Sequence, residues 1–312
     1  MELCLTPDNP LPAGATVIPV TTADGLRLRA MMAPREGARG TVVVIGGRGD
    51  YLERYFETMR DFMASGFAVA AFDFRGQGGS QRLLSNPLRN HVRRFSDYEE
   101  DLRSVMSQVV LPHCPPPYYA VAHSTGGAVL ISALATHTWF RRAAVTAPLA
   151  GLLYGSWPRS IVSLLVFLAN SLGLGWMFLP GRARKPMGRA DFPGNPLHGD
   201  ARRWNRDSAV LEACPALGTG APTFAWLRAA RKATARLRAM GETTLIRCPL
   251  LLVVSGQDQV VDNAATYRLA RRVPGLSLVE IREARHEILS GPDAIRAQFF
   301  AAFDAFLSGP EA

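Results

Sequence analysis

Short apolar runs alternate with amphipathic stretches along most of this chain, and this alternation constrains its fold more than any other feature. The apolar runs are rich in β-branched residues and end near Gly, Asp or Ser; they cover residues 41–47, 67–76, 118–124, 143–148, 249–258 and 276–281. Helical patterns lie between several of them, at residues 54–65, 97–110, 263–272 and 293–307. Continuous apolar strands that alternate with helices indicate a mostly parallel sheet covered on both faces, so we predict an α/β fold.

The alternation stops between the fourth and fifth of these runs. Residues 149–245 contain helical and Pro/Gly-rich segments without a clear strand pattern. An insertion of this length between two core strands is best interpreted as a helical cap. We therefore divide the chain into a core of residues 1–149 and 246–312 and a cap of residues 150–245.

Ser124 stands where a predicted strand ends and a helical pattern begins. A strand-to-helix reversal this tight strains its central residue, so the residues two positions away must be small. Ala122 and Gly126 meet this requirement, although the usual pattern has glycine at the first of them. Such a turn exposes the hydroxyl and points the N-terminus of the next helix at it. Ser124 is therefore a candidate nucleophile, the alternative being a serine in a simple linker turn.

A serine nucleophile needs a base that is oriented by a carboxylate. His286 follows the last predicted strand, and Asp258 ends the strand before it. Both side chains can reach the sheet edge at which Ser124 lies, and the chain order Ser, Asp, His is that of α/β-hydrolases. Asp262 is an alternative acid, one turn further on. We predict a triad of Ser124, His286 and Asp258.

The other histidines are weaker candidates for the base. His123 adjoins Ser124, but neighbouring side chains on such a turn diverge. The remaining four are expected on loops or helix surfaces: His91, His113, His137 and His198.

Ester or amide chemistry at Ser124 also needs donors for an oxyanion. One candidate is the backbone N–H of Thr125. The other is the backbone N–H of Arg48, in a glycine-rich loop at residues 46–50 that can approach a substrate closely. This loop matches neither the P-loop nor the dinucleotide-binding pattern, so we expect no nucleotide cofactor.

Several segments together resemble the α/β-hydrolase superfamily, within it the monoacylglycerol lipases and bacterial lysophospholipases, a group also described as serine aminopeptidase-like. The segments are IGGRGDYLERY (45–55), FDFRGQGGS (72–80), HVRRFSDYEEDL (91–102), AHSTGG (122–127), VVSGQDQVVDN (253–263) and ARHEIL (284–289). The resemblance implies the α/β-hydrolase fold. It also matches Ser124, Asp258 and His286 to the nucleophile, acid and base, and Arg48 and Thr125 to the oxyanion positions.

The cap and the oxyanion loop refine this resemblance. Residues 199–207 and 215–230 are similar to a lysophospholipase-type cap. The His-Gly pair that many members of the group carry before the oxyanion residue is Gly46-Gly47 here. This departure weakens a strict assignment as a monoacylglycerol lipase.

The resemblance implies a carboxylic-ester hydrolase that needs no metal or cofactor and acts on a single-acyl-chain lipid, either a lysophospholipid or a monoacylglycerol. One alternative is an aminopeptidase, which would need an acidic pocket for the substrate amine. The predicted cap has few carboxylates for this purpose: Asp191, Asp200, Asp207, Glu212 and Glu242. Another alternative is a ligand-binding protein without catalysis.

The chain carries a net charge of +9, and 33 of its 35 basic residues are arginine. Such a chain can attract phosphates, acidic lipid headgroups or nucleic acid. No dense Lys/Arg tract with interleaved aromatics occurs, so we expect no nucleic-acid partner. The alternative is a compositional bias, with the charge spread over a solvated surface.

Residues 160–180 are uncharged and are flanked by basic residues, namely Arg159, Arg182, Arg184 and Lys185. Three interpretations are open: a membrane-spanning helix, a helix pair that is buried or lines an acyl tunnel, and a surface that touches an anionic membrane. Spanning would place parts of one catalytic fold on opposite sides of a bilayer. We therefore expect the tunnel wall or peripheral contact with a membrane.

The four cysteines are far apart in the sequence: Cys4, Cys114, Cys214 and Cys248. They form no CxxC pair, so neither a zinc site nor a redox motif is indicated. The N-terminal residues show no secretory signal pattern. We expect a reduced, cytoplasmic protein, with peripheral contact at the inner membrane surface as a further expectation; the sequence predicts no oligomeric state.

Overall fold

The computed structural model describes residues 2–155, 158–180 and 192–309. Its strands are β1 Thr16–Thr21, β2 Arg27–Ala33, β3 Thr41–Ile45, β4 Ala68–Phe72, β5 Tyr118–His123, β6 Arg142–Thr146, β7 Leu250–Ser255 and β8 Leu276–Ile281. They form one eight-stranded sheet in the order β1-β2-β4-β3-β5-β6-β7-β8. Strand β2 pairs antiparallel with β1 and β4, and the other pairs are parallel. The predicted mostly parallel sheet is confirmed.

Helices cover both faces of this sheet. They are α1 Phe56–Ala64, α2 Phe95–Val105, α3 Leu111–His113, α4 Ser124–Leu134, α5 Arg159–Ser171, α6 Ala201–Ala213, α7 Phe224–Ala239, α8 Asn263–Arg272 and α9 Asp293–Leu307. Successive strand residues point to opposite faces. On β3, Val42 and Val44 therefore pack into the cluster that contains α1 and α9, whereas Val43 and Ile45 pack with α2, α4 and α8.

The long insertion between β6 and β7 contains α5, α6 and α7, and no strand among its described residues. Helix α7 buries Ala230, Ala233 and Leu237 in the same apolar cluster as α4, so part of this insertion packs against the helices that cover one face of the sheet. Four residues that the sequence analysis invokes in this region lie outside the described residues: Arg182, Arg184, Lys185 and Asp191.

Helix α5 carries the uncharged segment, and most of its apolar side chains are exposed. Of its residues only Val166 is buried. Exposed apolar side chains occur along α5 and just after it: Ile161, Leu164, Leu165, Phe167, Leu168 and Leu172. Among the described residues, no helix has the length and apolar character needed to cross a membrane. Most of this segment is therefore not buried, and its role as a tunnel wall or as a membrane-contacting surface stays a prediction.

A disulfide joins Cys4 to Cys214, with their Cα atoms 6.2 Å apart. The expected reduced state is wrong for this pair. The two cysteines are 210 residues apart in sequence, so their spacing gave no indication of contact. The bond fastens the N-terminal segment to the end of α6, whereas Cys114 and Cys248 are free and buried.

Candidate active site

Ser124 is the first residue of α4 and directly follows β5. Its φ of 50° lies in the left-handed region, which residues other than glycine rarely adopt. Space around it is restricted, because a Cβ atom at Gly126 would lie 2.3 Å from the carbonyl oxygen of Gly46. Ala122 is fully buried opposite Ile45 in the sheet. The small residues that the sequence analysis singled out thus allow the reversal that places the Ser124 hydroxyl at the sheet edge.

His286 lies between Ser124 and Asp258. Its Nε2 is 3.0 Å from Ser124 Oγ, and its Nδ1 is 2.7 Å from Asp258 Oδ2. A carboxylate at Nδ1 fixes the tautomer in which Nδ1 donates, and Nε2 is then free to accept the serine proton. All three side chains are buried. The structure therefore brings together the three residues proposed as a triad.

Asp258 is held by more than the histidine. Its Oδ1 accepts hydrogen bonds from the backbone N–H groups of Val260 at 2.7 Å and Val261 at 3.1 Å. Burial alone would raise the pKa of Asp258, but the hydrogen bond from His286 and the two backbone donors outweigh it and lower the pKa. Asp262, the alternative acid, instead caps α8 by accepting from the N–H of Ala264.

The loop after β3 is fastened beside Ser124. Gly47 N–H donates to Asp50 Oδ2 at 2.5 Å, and Gly49 N–H donates to Gln77 Oε1 at 3.0 Å. The side-chain amide of Gln77 also donates to the carbonyl of Gly47 at 2.8 Å. A Cβ atom at Gly47 would be only 3.3 Å from Ser124 Cβ. The loop that carries the candidate oxyanion donor is thus rigid and adjacent to the serine.

The two residues proposed for the oxyanion hole directly follow the neighbouring residues Gly47 and Ser124: they are Arg48 and Thr125. Thr125 is the second residue of α4, and N–H groups in the first turn of a helix have no intrahelical acceptor. The Arg48 side chain extends towards the insertion, where it donates to the carbonyl of Gly220 at 3.3 Å and lies over the Trp226 ring. The charged end of Arg48 therefore points away from Ser124, and only its backbone lies in the loop of residues 46–50 beside Ser124, which we call the serine loop.

A buried charge cluster that the sequence analysis missed centres on Arg54. The guanidinium contacts Asp50 of the serine loop, Asp207 of α6 at 3.2 Å and Glu287 at 3.2 Å. His198 Nε2 lies 3.1 Å from the same guanidinium. Arg54 therefore links the serine loop, the insertion and the residue that follows the candidate base.

Glu287 and His123 extend this cluster. Burial alone would raise the pKa of Glu287, but Arg54 and His123 beside it hold the pKa well below its ordinary value. Burial alone would lower the pKa of His123, but Glu287, 3.4 Å from its Nε2, raises it. His123 Nδ1 lies 3.1 Å from the Thr146 hydroxyl. Its ring thus has partners other than Ser124, in agreement with its rejection as the base.

Two of the other histidines lie on loops, as expected, but both are buried. His91 is buried with its Nδ1 3.0 Å from the Thr223 hydroxyl. His198 is buried too, and burial lowers its pKa to about 4. His113 is exposed at the end of α3 and His137 is half-buried. Neither buried ring forms a hydrogen bond with Ser124 among the described contacts. His91 instead contacts Thr223 of the insertion, and His198 is itself a residue of the insertion.

His123, His286 and Glu287 come close enough together to suggest a metal site, with ligand atoms within 4.8 Å of one another. Both nitrogens of His286 already have hydrogen-bond partners, and Arg54 occupies Glu287. A cation would have to compete with this arginine for the same carboxylate. We assign no metal to this group.

The family model described as serine aminopeptidase, S33, matches residues 36–293. The chain belongs to this family. It is thus a member of a hydrolase family, and the recognition of the α/β-hydrolase superfamily from the sequence motifs is confirmed. The match spans the sheet from β3 to β8 as well as the insertion, so it includes every residue of the candidate site.

Named relatives and a solved structure agree with this assignment. The chain is 31% identical over 293 residues to lysophospholipase L2 of Escherichia coli K12, covering 89% of this chain and 83% of the relative. It is 26% identical over 284 residues to a probable lysophospholipase L2 of Haemophilus influenzae, covering 91% and 88%. A soluble variant of monoglyceride lipase from Saccharomyces cerevisiae has the same fold, with a TM-score of 0.71 at 18% identity over 96% of this chain and 98% of that one. The α/β-hydrolase fold is therefore confirmed.

Proposed function

We propose that this chain is a serine carboxylic-ester hydrolase that releases the acyl chain of lysophospholipids or monoacylglycerols. The observation that carries the proposal is the hydrogen-bonded series from Ser124 through His286 to Asp258. The names of the E. coli relative, lysophospholipase L2, and of the H. influenzae relative, probable lysophospholipase L2, support a lysophospholipid as substrate.

The proposed reaction has two halves. His286 Nε2 takes the proton of Ser124 Oγ as the oxygen attacks the ester carbonyl, while Asp258 stabilises the resulting imidazolium. The backbone N–H groups of Arg48 and Thr125 stabilise the oxyanion. His286 then gives its proton to the leaving alcohol, which leaves an acyl-enzyme at Ser124. Water, deprotonated by His286, attacks this ester and releases the fatty acid.

We further propose that α5 and α6 form a cap and that the exposed apolar side of α5 contacts a lipid surface. Acyl lipids reside in bilayers or micelles, so such contact lets the substrate enter without crossing water. Phe167 and Leu172 are 66% and 71% exposed, and apolar patches of this kind on a helix are typical of interfacial contact. Phe167→Ser with Leu172→Ser should lower binding to phospholipid vesicles and leave hydrolysis of a soluble short-chain ester unchanged.

A substrate panel on the purified protein tests the main proposal. It should contain lysophosphatidylcholine, monoacylglycerol, short and long p-nitrophenyl esters, and aminoacyl-anilides. We expect the highest kcat/KM on a single-chain lipid ester. Higher kcat/KM on every aminoacyl-anilide than on any ester would overturn the assignment to lipids.

The description of the matching family favours an aminopeptidase as a second candidate. Such an enzyme needs a free carboxylate for the substrate amine. Two carboxylates of the insertion are already engaged by arginines, Asp200 by Arg203 and Asp207 by Arg206. The aminoacyl-anilides in the panel test this candidate directly. Labelling of Ser124 by a fluorophosphonate separates both enzymes from a ligand-binding protein without catalysis.

A further inference from the structure

A basic cleft lies between α5, α7 and α8 and is distinct from the candidate active site in its lining residues. Its volume is about 680 Å³, which is within the range of small-molecule sites. Neither the three triad residues nor the two oxyanion residues line it. Six cationic side chains do: Arg159, Arg228, Arg231, Lys232, Arg238 and Arg268.

These cations have little compensation within the described part of the chain. Asp262 is the one carboxylate among the lining residues, and it lies 3.4 Å from Arg268 while it also caps α8. Like charges gathered in a concave surface repel one another and focus a positive potential. The cleft is therefore electrostatically suited to an anion with more than one negative oxygen.

Arg231 gives a second, independent indication. Its Nη2 donates to Ser163 Oγ at 2.6 Å, whereas its Nη1 is buried without a hydrogen-bond partner among the described residues. A buried charged donor without an acceptor is costly, so a ligand oxygen at this position would be stabilising. An arginine with neighbouring cations is the arrangement that binds phosphate best.

The apolar side of the cleft indicates where such a phosphate comes from. Phe167 lines the cleft and is also part of the exposed apolar side of α5. Val166 and Leu152 line it as well. A ligand in the cleft would thus have its anionic group among arginines and its remaining part beside the surface proposed to contact lipid.

We propose that this cleft binds the phosphate of an anionic phospholipid headgroup, at a site separate from the one that hydrolyses the ester. The site goes beyond the proposed catalytic function and does not depend on the triad. Binding of the headgroup in the cleft holds the protein at an anionic membrane, with the exposed apolar side of α5 against the acyl chains of the lipids.

Two double variants with the same change in charge test the proposal. Arg231→Gln with Arg268→Gln removes one cleft arginine from α7 and one from α8. Arg236→Gln with Arg271→Gln removes one arginine from each of the same helices, outside the cleft lining. Sedimentation with vesicles of pure phosphatidylglycerol or pure phosphatidylcholine measures lipid binding, and calorimetric titration with inorganic phosphate measures binding of the free anion.

We expect the wild type to prefer phosphatidylglycerol, the cleft variant to lose this binding by on the order of tenfold or more, and the control variant to keep it. Equal losses in both variants would show an effect of net charge alone and overturn the site. Binding of inorganic phosphate without a preference for phosphatidylglycerol vesicles would overturn the lipid source.

Two controls keep these results interpretable. Because Arg231 also contacts Ser163, Arg228→Gln with Lys232→Gln provides a second cleft variant on α7 that leaves this contact in place, and it should lose binding as well. Retained binding in a folded second variant would contradict the proposal. Fluorophosphonate labelling of Ser124 should be equal in all variants, and its failure in the wild type would count against the proposed catalysis without bearing on the cleft.

Discussion

The carboxylate of Glu287 lies 3.2 Å from the guanidinium of Arg54, and the two side chains are only 11% and 9% exposed beside the candidate base. The same guanidinium contacts Asp50 in the serine loop and Asp207 on α6. One cation therefore compensates three carboxylates that come from three separate parts of the chain. Ion pairs thus join the insertion to the loop of residues 46–50 and to the candidate site, in addition to the chain connection.

Removal of this cation should destabilise the whole molecule. Arg54→Gln removes the cation that Asp50, Asp207 and Glu287 share, although Arg206 remains beside Asp207 and His123 beside Glu287. We expect a loss of about 3–5 kcal/mol in the free energy of unfolding. Urea denaturation measures the loss. Arg94→Gln is the control, because Arg94 forms an exposed pair with Asp97 and should change stability by less than about 1 kcal/mol. Equal stability of the Arg54 variant and the wild type would contradict this view of the cluster.

His198 should make the protein less stable in mild acid. Its pKa is lowered from 6.5 to about 4 in the folded state, so below pH 6.5 the unfolded chain takes up a proton that the folded chain resists. The stability from this residue is full above pH 6.5 and is lost as the pH falls towards 4, by up to about 3 kcal/mol. His198→Gln should show a shallower fall across this window in urea titrations, and the exposed-site variant His113→Gln should follow the wild type. Parallel curves of stability against pH for all three proteins would refute the view that the lowered pKa of His198 causes the loss of stability in acid.

The turn at Ser124 should tolerate no side chain at position 126. In Gly126→Ala the new methyl group would lie 2.3 Å from the carbonyl of Gly46, so either α4 or the serine loop must move. We expect a loss of about 1–3 kcal/mol together with reduced esterase activity. Gly241→Ala is the matched control, because its Cβ would meet nothing closer than Arg272 Nη2 at 3.6 Å. Wild-type melting temperature and activity in Gly126→Ala would show that the local geometry is wrong.

The Cys4–Cys214 disulfide should contribute to thermal stability. Closing a loop of 210 residues restricts the unfolded chain, so its removal should cost about 2–5 kcal/mol. Calorimetry should give a lower melting temperature for Cys4→Ser. Reductant should lower the melting temperature of the wild type to a similar value and leave the variant unchanged. A wild type whose melting temperature does not respond to reductant would indicate that the bond is absent in solution.

Much of the fold could be predicted from local patterns. Strands β3, β5 and β7 are short, apolar and buried on both faces, which gives them a clear signal, and α8 and α9 begin and end where their periodicity does. The strand order could not be read in this way, because it depends on which strands pair after the chain has collapsed. The packing of α7 against the helices of the core was missed for a different reason, since its small residues Ala230 and Ala233 carry a weak hydrophobic signal.

The candidate triad was accessible because each member stands at the end of a strand, where a parallel sheet brings its functional residues together. The surrounding cluster was not. Arg54 and Asp207 are 153 residues apart in sequence. The chain has 33 arginines, and the sequence does not indicate which of them is buried. Cys4 and Cys214 were missed because no motif connects cysteines so distant in the chain.

The kcat of Ser124→Ala on lysophosphatidylcholine, or on whichever single-chain ester the panel selects, tests the central claim most directly. We predict a folded protein whose kcat is lower by on the order of 10³- to 10⁶-fold, because the hydroxyl that His286 faces at 3.0 Å is the proposed attacking group. His286→Ala should cost about as much, and the double variant little more, since the residues act as a unit. A Ser124→Ala protein that turns over substrate at nearly the wild-type rate would contradict the account.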